Sequence, residues 1–243
     1  METDRPDHLE GLLQRCWGYL EEGAGSARSP FHTAVLGTVE DGGPRLRTVV
    51  LRAADRKAGR VLCHTDARSA KVRQIGDDAP VSWLLYDPGR KVQLRLEGRA
   101  TLHADDALAD ERWRASAVGS RRCYLVEPGP GAVLEAAGST LPQGLRERRP
   151  EPGETEPGRV NFAVVAADIE LIDWLHLTAD GHRRARFRRV GHAGNGGRDP
   201  GDDRGADRGD DRGDDRGDDR GDDRGADRGH DCGRGWAGDW IAP

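Results

Sequence analysis

The sequence predicts a mainly β protein with few flanking helices, folded as a small antiparallel barrel. Two observations carry that reading. Short strand-like segments follow one another at hairpin spacing, with turn residues between them rather than long helical crossovers. Residues 91–103 also alternate: Val92, Leu94, Leu96, Ala100 and Leu102 interleave with Gln93, Arg95, Glu97, Arg99 and Thr101. A period of two buries one face and leaves the other polar.

The remaining elements follow in order. Leu9, Leu12, Leu13, Cys16, Trp17 and Leu20 form one apolar stripe, which predicts an amphipathic helix over 8–22, broken by Gly23, Gly25 and Ser26. Residues 32–39 and 45–52 read as strands joined by the turn Asp41-Gly42-Gly43-Pro44. A third strand spans 60–65, Ser69 caps a short helix to about Ile75, and 81–86 is a fourth strand. Asp105 opens a helix through Trp113. Residues 126–158 read as a long loop with one helical turn, 160–175 and 182–190 as strands, and Trp236–Ile241 as a short final strand.

Composition sets further bounds. Of 243 residues, 34 are Gly and 33% are charged, but much of that bias sits in seven tetrads from Gly201 to Arg228. Five are Gly-Asp-Asp-Arg and two are Gly-Ala-Asp-Arg, and they account for the whole net charge of −5. The rest of the chain is neutral, which gives no support to a nucleic-acid partner. The tract has no apolar residue longer than Ala and reads as a disordered insertion, with no metal site assigned. Cys16, Cys63, Cys123 and Cys232 are widely spaced, which argues against a zinc site or disulfide framework and fits a reducing compartment. The polar start of the chain does not read as a signal peptide, and no stretch approaches the ~18 apolar residues of a membrane span. A cytoplasmic protein is expected.

Binding chemistry concentrates in two stretches. His64-Thr65-Asp66-Ala67-Arg68-Ser69-Ala70-Lys71 combines hydroxyl donors, cations and a helix start, as an anion requires, although an ordinary strand–turn–helix would look the same. In Arg45–Arg52, alternation puts Arg47 and Arg52 on opposite faces unless a bulge intervenes.

Together these stretches resemble the pyridoxamine 5'-phosphate oxidase family. Arg47-Thr48-Val49-Val50-Leu51-Arg52 is similar to the family's flavin-binding strand, and His64-Thr65 and Ser69-Ala70-Lys71 follow at family-like spacing. Gln93 precedes Gly98 by five residues, as in the family's Gln-Val-x-Val-x-Gly strand, and Trp236–Pro243 resembles its Trp-x-x-x-x-Leu-x-Pro ending. The resemblance implies an antiparallel FMN-binding split β-barrel, a homodimer with FMN at the interface, and a small-molecule substrate. It implies a barrel domain of residues 1–193 completed by 235–243, with 194–234 inserted between the last two strands.

By the same likeness, Arg47 and Lys71 bind the FMN phosphate with Thr65 and Ser69, and main-chain groups of Thr48, Val49, Val50 and Leu51 line the flavin ring. Arg52 and His64 belong to the same motifs, and Gln93 donates to the ring's polar edge. Trp174 and Arg186 would reach the flavin from the second subunit, with a core position an equal alternative for Trp174. The chain also departs from the pattern. Ala70 stands where relatives have Arg, so Arg68 would reach the phosphate instead. The loop Ser116–Ser120 keeps the substrate-binding Ser120 but lacks the arginine four residues before it. Arg52, His182 and Arg184 complete the implied substrate contacts. The implied reaction is hydride transfer from an amine or alcohol carbon to flavin N5, with pyridoxamine or pyridoxine 5'-phosphate as one substrate. A same-fold oxidoreductase with another substrate, such as an aromatic intermediate, and a flavin-binding protein without turnover are the alternatives.

Overall fold

A computed structural model describes residues 8–190, 230–232 and 235–243. The first helix, α1 (Leu9–Gly25), buries the expected stripe and runs through both glycines. His8 caps it, its Nδ1 accepting from Gly11 N at 3.0 Å. Then come β1 (Thr33–Glu40), β2 (Gly43–Asp55), β3 (Arg60–Asp66), α2 (Ala70–Ile75), β4 (Ala79–Asp87) and β5 (Val92–His103). The β1–β2 turn places Asp41 and Gly42 at φ 53° and 73°, the left-handed pair that a tight hairpin needs.

Two helices follow β5: α3 (Ala107–Ala115) and the short α4 (Val118–Arg121), which the sequence reading missed. Asp106, not Asp105, is the cap of α3, its carboxylate accepting from Ala109 N at 2.9 Å. The 126–158 loop contains a 3-10 turn at Gln143–Leu145, and a longer 3-10 stretch, Pro152–Asn161, leads into β6 (Phe162–His176). The sheet ends with β7 (Arg183–Arg189), β8 (His230–Asp231) and β9 (Trp236–Ile241). β7 and β9 pair antiparallel, so the repeats fall in the connection between two paired strands. The tetrads lie outside the described residues.

All pairings are antiparallel, and the order β3-β2-β1-β4-β5-β6 closes through an additional β3–β6 ladder. Closure makes a six-stranded barrel. On the edge away from β5, β6 serves two partners in turn: Phe162–Asp168 close the barrel on β3, and Leu171–His176 carry β7 and β9 outward. The fold is a split β-barrel, mainly β with flanking helices, as predicted.

The barrel core joins Leu36, Val49, Leu51, Cys63, Trp83, Leu94 and Ile172 to the α1 stripe, and Trp17 packs edge-on against Trp236 at 6.2 Å. A second apolar cluster lies outside the barrel, where Trp113 and Tyr124 cover Leu62, Phe162 and Val164. Gly98 marks the tightest crossing, since a Cβ there would lie 2.0 Å from Asp168 O. The β5–β6 register shifts at this point, with Glu97 opposite Leu171 and Gly98 opposite Ile169.

Candidate functional site

The β2–β3 ladder is incomplete, and that determines where a ligand can reach the main chain. Its pairs run from Asp55–Arg60 to Leu51–Cys63 and stop there. Thr48, Val49 and Val50 continue to pair with β1 on their other side, so among the described residues one edge of this stretch has no strand neighbour. Between Leu51 and Ala53 the register shifts by one residue, and Arg52 is the extra one. The bulge that could reorient Arg52 relative to Arg47 is therefore present.

At the end of this opening, three predicted residues meet. Lys71 Nζ donates to Thr65 Oγ1 at 2.9 Å and to Ser69 Oγ at 3.0 Å, and the two hydroxyls are 3.0 Å apart. Ser69 occupies the N-cap position of α2 but makes no side-chain cap bond, contrary to the expected capping role. Its hydroxyl is turned towards Lys71 instead. Burial holds the Lys71 ammonium below the usual lysine range, and the nearby Arg47 charge adds to this. Burial likewise lowers the Arg47 pKa. Beneath them the buried Cys63 thiol is pushed up to about 12, against the opposing pull of Lys71, Arg52 and Arg47. Two desolvated cations this close favour an anion between them.

Arg47 is fixed by groups that sequence reasoning did not single out. Its Nη1 donates to Leu36 O at 3.3 Å and Thr38 Oγ1 at 2.6 Å, and its Nη2 donates to Gln74 Oε1. Gln74 lies on α2, three residues past Lys71; that one-turn spacing was the only signal for it.

Arg68 does not join this cluster. It is held by Asp66 through two bonds of 2.8 and 3.0 Å, by Val126 O at 3.0 Å and by Glu127 at 3.1 Å. It anchors the loop after α4.

Arg52 and His64 line a separate cavity of about 230 Å3 with Arg112, Ser116, Ser120 and Tyr124. Burial holds the His64 imidazole down to about 4, helped by the charges of Arg52 and Arg112. The ring is therefore neutral near pH 7, with its Nε2 buried and without a partner among the described residues. The wall is braced by Arg121, which donates to Ser116 O, Arg114 O and Glu156 Oε1 at 2.9–3.1 Å.

The remaining predicted residues sit on β5–β7. Gln93 is half-buried on the same face as Arg95, as alternation required. Arg184 chelates the buried Asp173 at 2.7 and 2.9 Å, and Arg95 and Arg186 approach the same carboxylate at 3.5 and 3.7 Å. His182 is exposed in the turn before β7, where its Nδ1 accepts from Thr178 N. Trp174 faces the other way. It pairs with Leu94, is 4% exposed and packs in the core, one of the two positions the sequence left open.

Residues 16–104 match the family model described as "Pyridoxamine 5'-phosphate oxidase, FMN-binding domain". The fold defines the class, a split-barrel protein, and the matched segment is similar to the FMN-binding domain of that family. The chain is similar to a pyridoxamine 5'-phosphate oxidase-related, FMN binding protein from Nostoc punctiforme PCC 73102, at 20% identity and a TM-score of 0.59, covering 95% of this chain and 97% of that one. It is also similar to PhzG from Burkholderia lata 383, solved with tetrahydrophenazine-1-carboxylic acid, at 18% identity and a TM-score of 0.54, covering 78% of this chain and 90% of that one. No curated protein matches it.

Proposed function

We propose that this protein is an FMN-dependent oxidoreductase that works as a homodimer. The observation that carries the reading is the juxtaposition of the open β2 edge at Thr48–Val50 with the Lys71–Thr65–Ser69 cluster and Arg47. A flavin mononucleotide has a flat ring that can accept main-chain hydrogen bonds and a phosphate that needs fixed cations and hydroxyls. The donor set fits: Arg47 retains an Nε–H and an Nη2–H beyond its bonds to protein, and Lys71 retains one ammonium proton.

Bound there, FMN would supply a two-electron acceptor. Arg47, Lys71, Thr65 and Ser69 would hold its phosphate, and Gln93 would hold the polar edge of the ring. Arg52, at the bulge, faces the adjacent cavity and would orient a substrate. The homodimer is supported by an exposed apolar stripe, Val39, Leu46, Leu84 and Tyr86, on the outer face of β1, β2 and β4, which a second copy would cover. Pyridoxamine or pyridoxine 5'-phosphate is one substrate for this site. A second is a carboxylated ring compound, favoured by the likeness to PhzG and its bound carboxylic acid.

The direct test is flavin titration of the purified protein. FMN should bind and riboflavin should bind more weakly, and Arg47→Ala with Lys71→Ala should abolish FMN retention. An unchanged FMN affinity in that double variant overturns the assignment. Hydrogen peroxide released with pyridoxine 5'-phosphate identifies the vitamin substrate; reduction only by another donor identifies the second class.

A further inference from the structure

Of the chain's 38 lysines and arginines, only Lys57, Lys71 and Lys91 are lysines. Lys57 and Lys91 are exposed on turns, whereas Lys71 is half-buried at the end of the open β2 edge. An arginine keeps its proton at any pH a protein meets, and a lysine does not. Two N–H groups of Lys71 are directed at Thr65 Oγ1, 2.9 Å away, and Ser69 Oγ, 3.0 Å away. The third tetrahedral position of Nζ therefore points away from both hydroxyls. It carries a proton when the group is an ammonium and the lone pair when it is an amine. The two hydroxyls hold the nitrogen in one orientation in either form.

The titratable groups that face this nitrogen are Arg47 on β2 and Cys63 and Asp66 on β3. The Cys63 thiol stays protonated, since burial pushes it up to about 12. The Asp66 carboxylate is taken by Arg68, at 2.8 and 3.0 Å. Burial, with the Arg47 charge beside it, thus favours the neutral amine over the ammonium. A desolvated lysine next to a second cation has the character of one that condenses with carbonyls.

We propose that Lys71 is a covalent capture site for small phosphate-bearing aldehydes, with Arg47 holding the phosphate through the donors it does not commit to the protein. The Nζ lone pair attacks the aldehyde carbon. The N–C bond forms as the carbonyl π pair moves to oxygen, which takes up a proton from the nitrogen. Loss of that oxygen as water leaves an imine to Lys71, with no oxidant or reductant consumed. The condensation rests on these side chains alone. Its consequence, that such an aldehyde and FMN exclude one another, rests on the flavin reading.

Glyceraldehyde 3-phosphate is the probe. The full chain, freed of flavin, is incubated with it, the imines are fixed with cyanoborohydride, and the three lysines are compared by peptide mass spectrometry. At pH 7, Lys71 should be labelled about tenfold faster than Lys57 or Lys91, and the ratio should shrink towards pH 10, where exposed lysines are neutral as well. Glyceraldehyde, which lacks the phosphate, should show a much smaller preference for Lys71. Arg47→Gln should reduce the preference for the phosphate ester in the same way, with an unchanged circular dichroism spectrum. Should that variant fail to fold, the comparison of the two aldehydes on the native chain decides alone. Equal labelling of the three lysines at pH 7, a ratio that does not fall with rising pH, or a preference untouched by removing the phosphate or Arg47 overturns the proposal. FMN added beforehand should protect Lys71 and neither of the others. Selective labelling that FMN leaves unchanged would sink the flavin reading alone.

Discussion

Gln74 Oε1 accepts a hydrogen bond from Arg47 Nη2, so a residue of α2 determines which edge of a β2 guanidinium is free. The same oxygen accepts from Thr38 Oγ1 at 2.7 Å, and Gln74 Nε2 donates to Glu40 at 3.1 Å. Replacing Gln74 with Leu should let Arg47 turn, weakening FMN by about tenfold while leaving riboflavin unaffected. Fluorescence titration with both flavins checks this; equal losses for the two would indicate general damage rather than misplacement of Arg47.

Gly98 lies where β5 meets the register shift against β6. A methyl group there would sit 2.0 Å from Asp168 O, a backbone atom of the central strand. Gly98→Ala should therefore destabilise the fold by about 3 kcal/mol or more. Thermal unfolding measures this, and a melting temperature within a degree or two of native would show that the crossing can relax.

Arg121 holds the wall between α3 and α4. Its guanidinium lies 5.0 Å over the Trp113 ring, and Glu156 receives both Arg121 and the Trp113 indole N–H, at 2.9 and 3.1 Å. Arg121→Ala leaves two carbonyls and half of that carboxylate without partners, at a cost of about 2 kcal/mol. The near-ultraviolet signal of Trp113 should change, and urea unfolding should shift to lower midpoints; an unaltered midpoint would show that the latch carries little.

His64 also makes stability depend on pH. Its folded pKa, about 4, lies below the ordinary histidine value of 6.5. The unfolded chain thus binds the proton more readily, so this contribution is complete above about 6.5 and is lost as pH falls towards 4. The full effect is up to about 3 kcal/mol. His64→Gln should remove that part of the acid sensitivity in melts at pH 4, 5 and 7. A native-like acid profile in His64→Gln would contradict the buried neutral ring.

The strands with one polar face were legible in the sequence because alternation is local. Residues 91–103 placed Gln93 outward and Leu94 inward, as found. Trp174 was not legible. β6 is buried along most of its length, since the barrel closes on one part and Trp113 and Tyr124 cover its outer face. A continuous apolar run of this kind does not say which way any residue points. The surroundings of Arg68 were hidden for a related reason: its charge was visible, but its bonds to Asp66, Val126 and Glu127, up to 59 residues away, were not.

The sequence by itself determined the antiparallel barrel, the α1 stripe and the inventory of cations and hydroxyls at 47–52 and 64–71, because these follow from periodicity and residue chemistry. The tertiary structure alone decided that the β2–β3 ladder stops at Leu51, that Arg52 forms the bulge, that Ser69 turns to Lys71 instead of capping its helix, and that Gln74 and Arg112 join the two sites. Each of those outcomes depends on closing β3 against β6, a pairing about a hundred residues apart in the chain. Only once such distant strands are fixed do competing hydrogen-bond partners come within reach and settle where each side chain points.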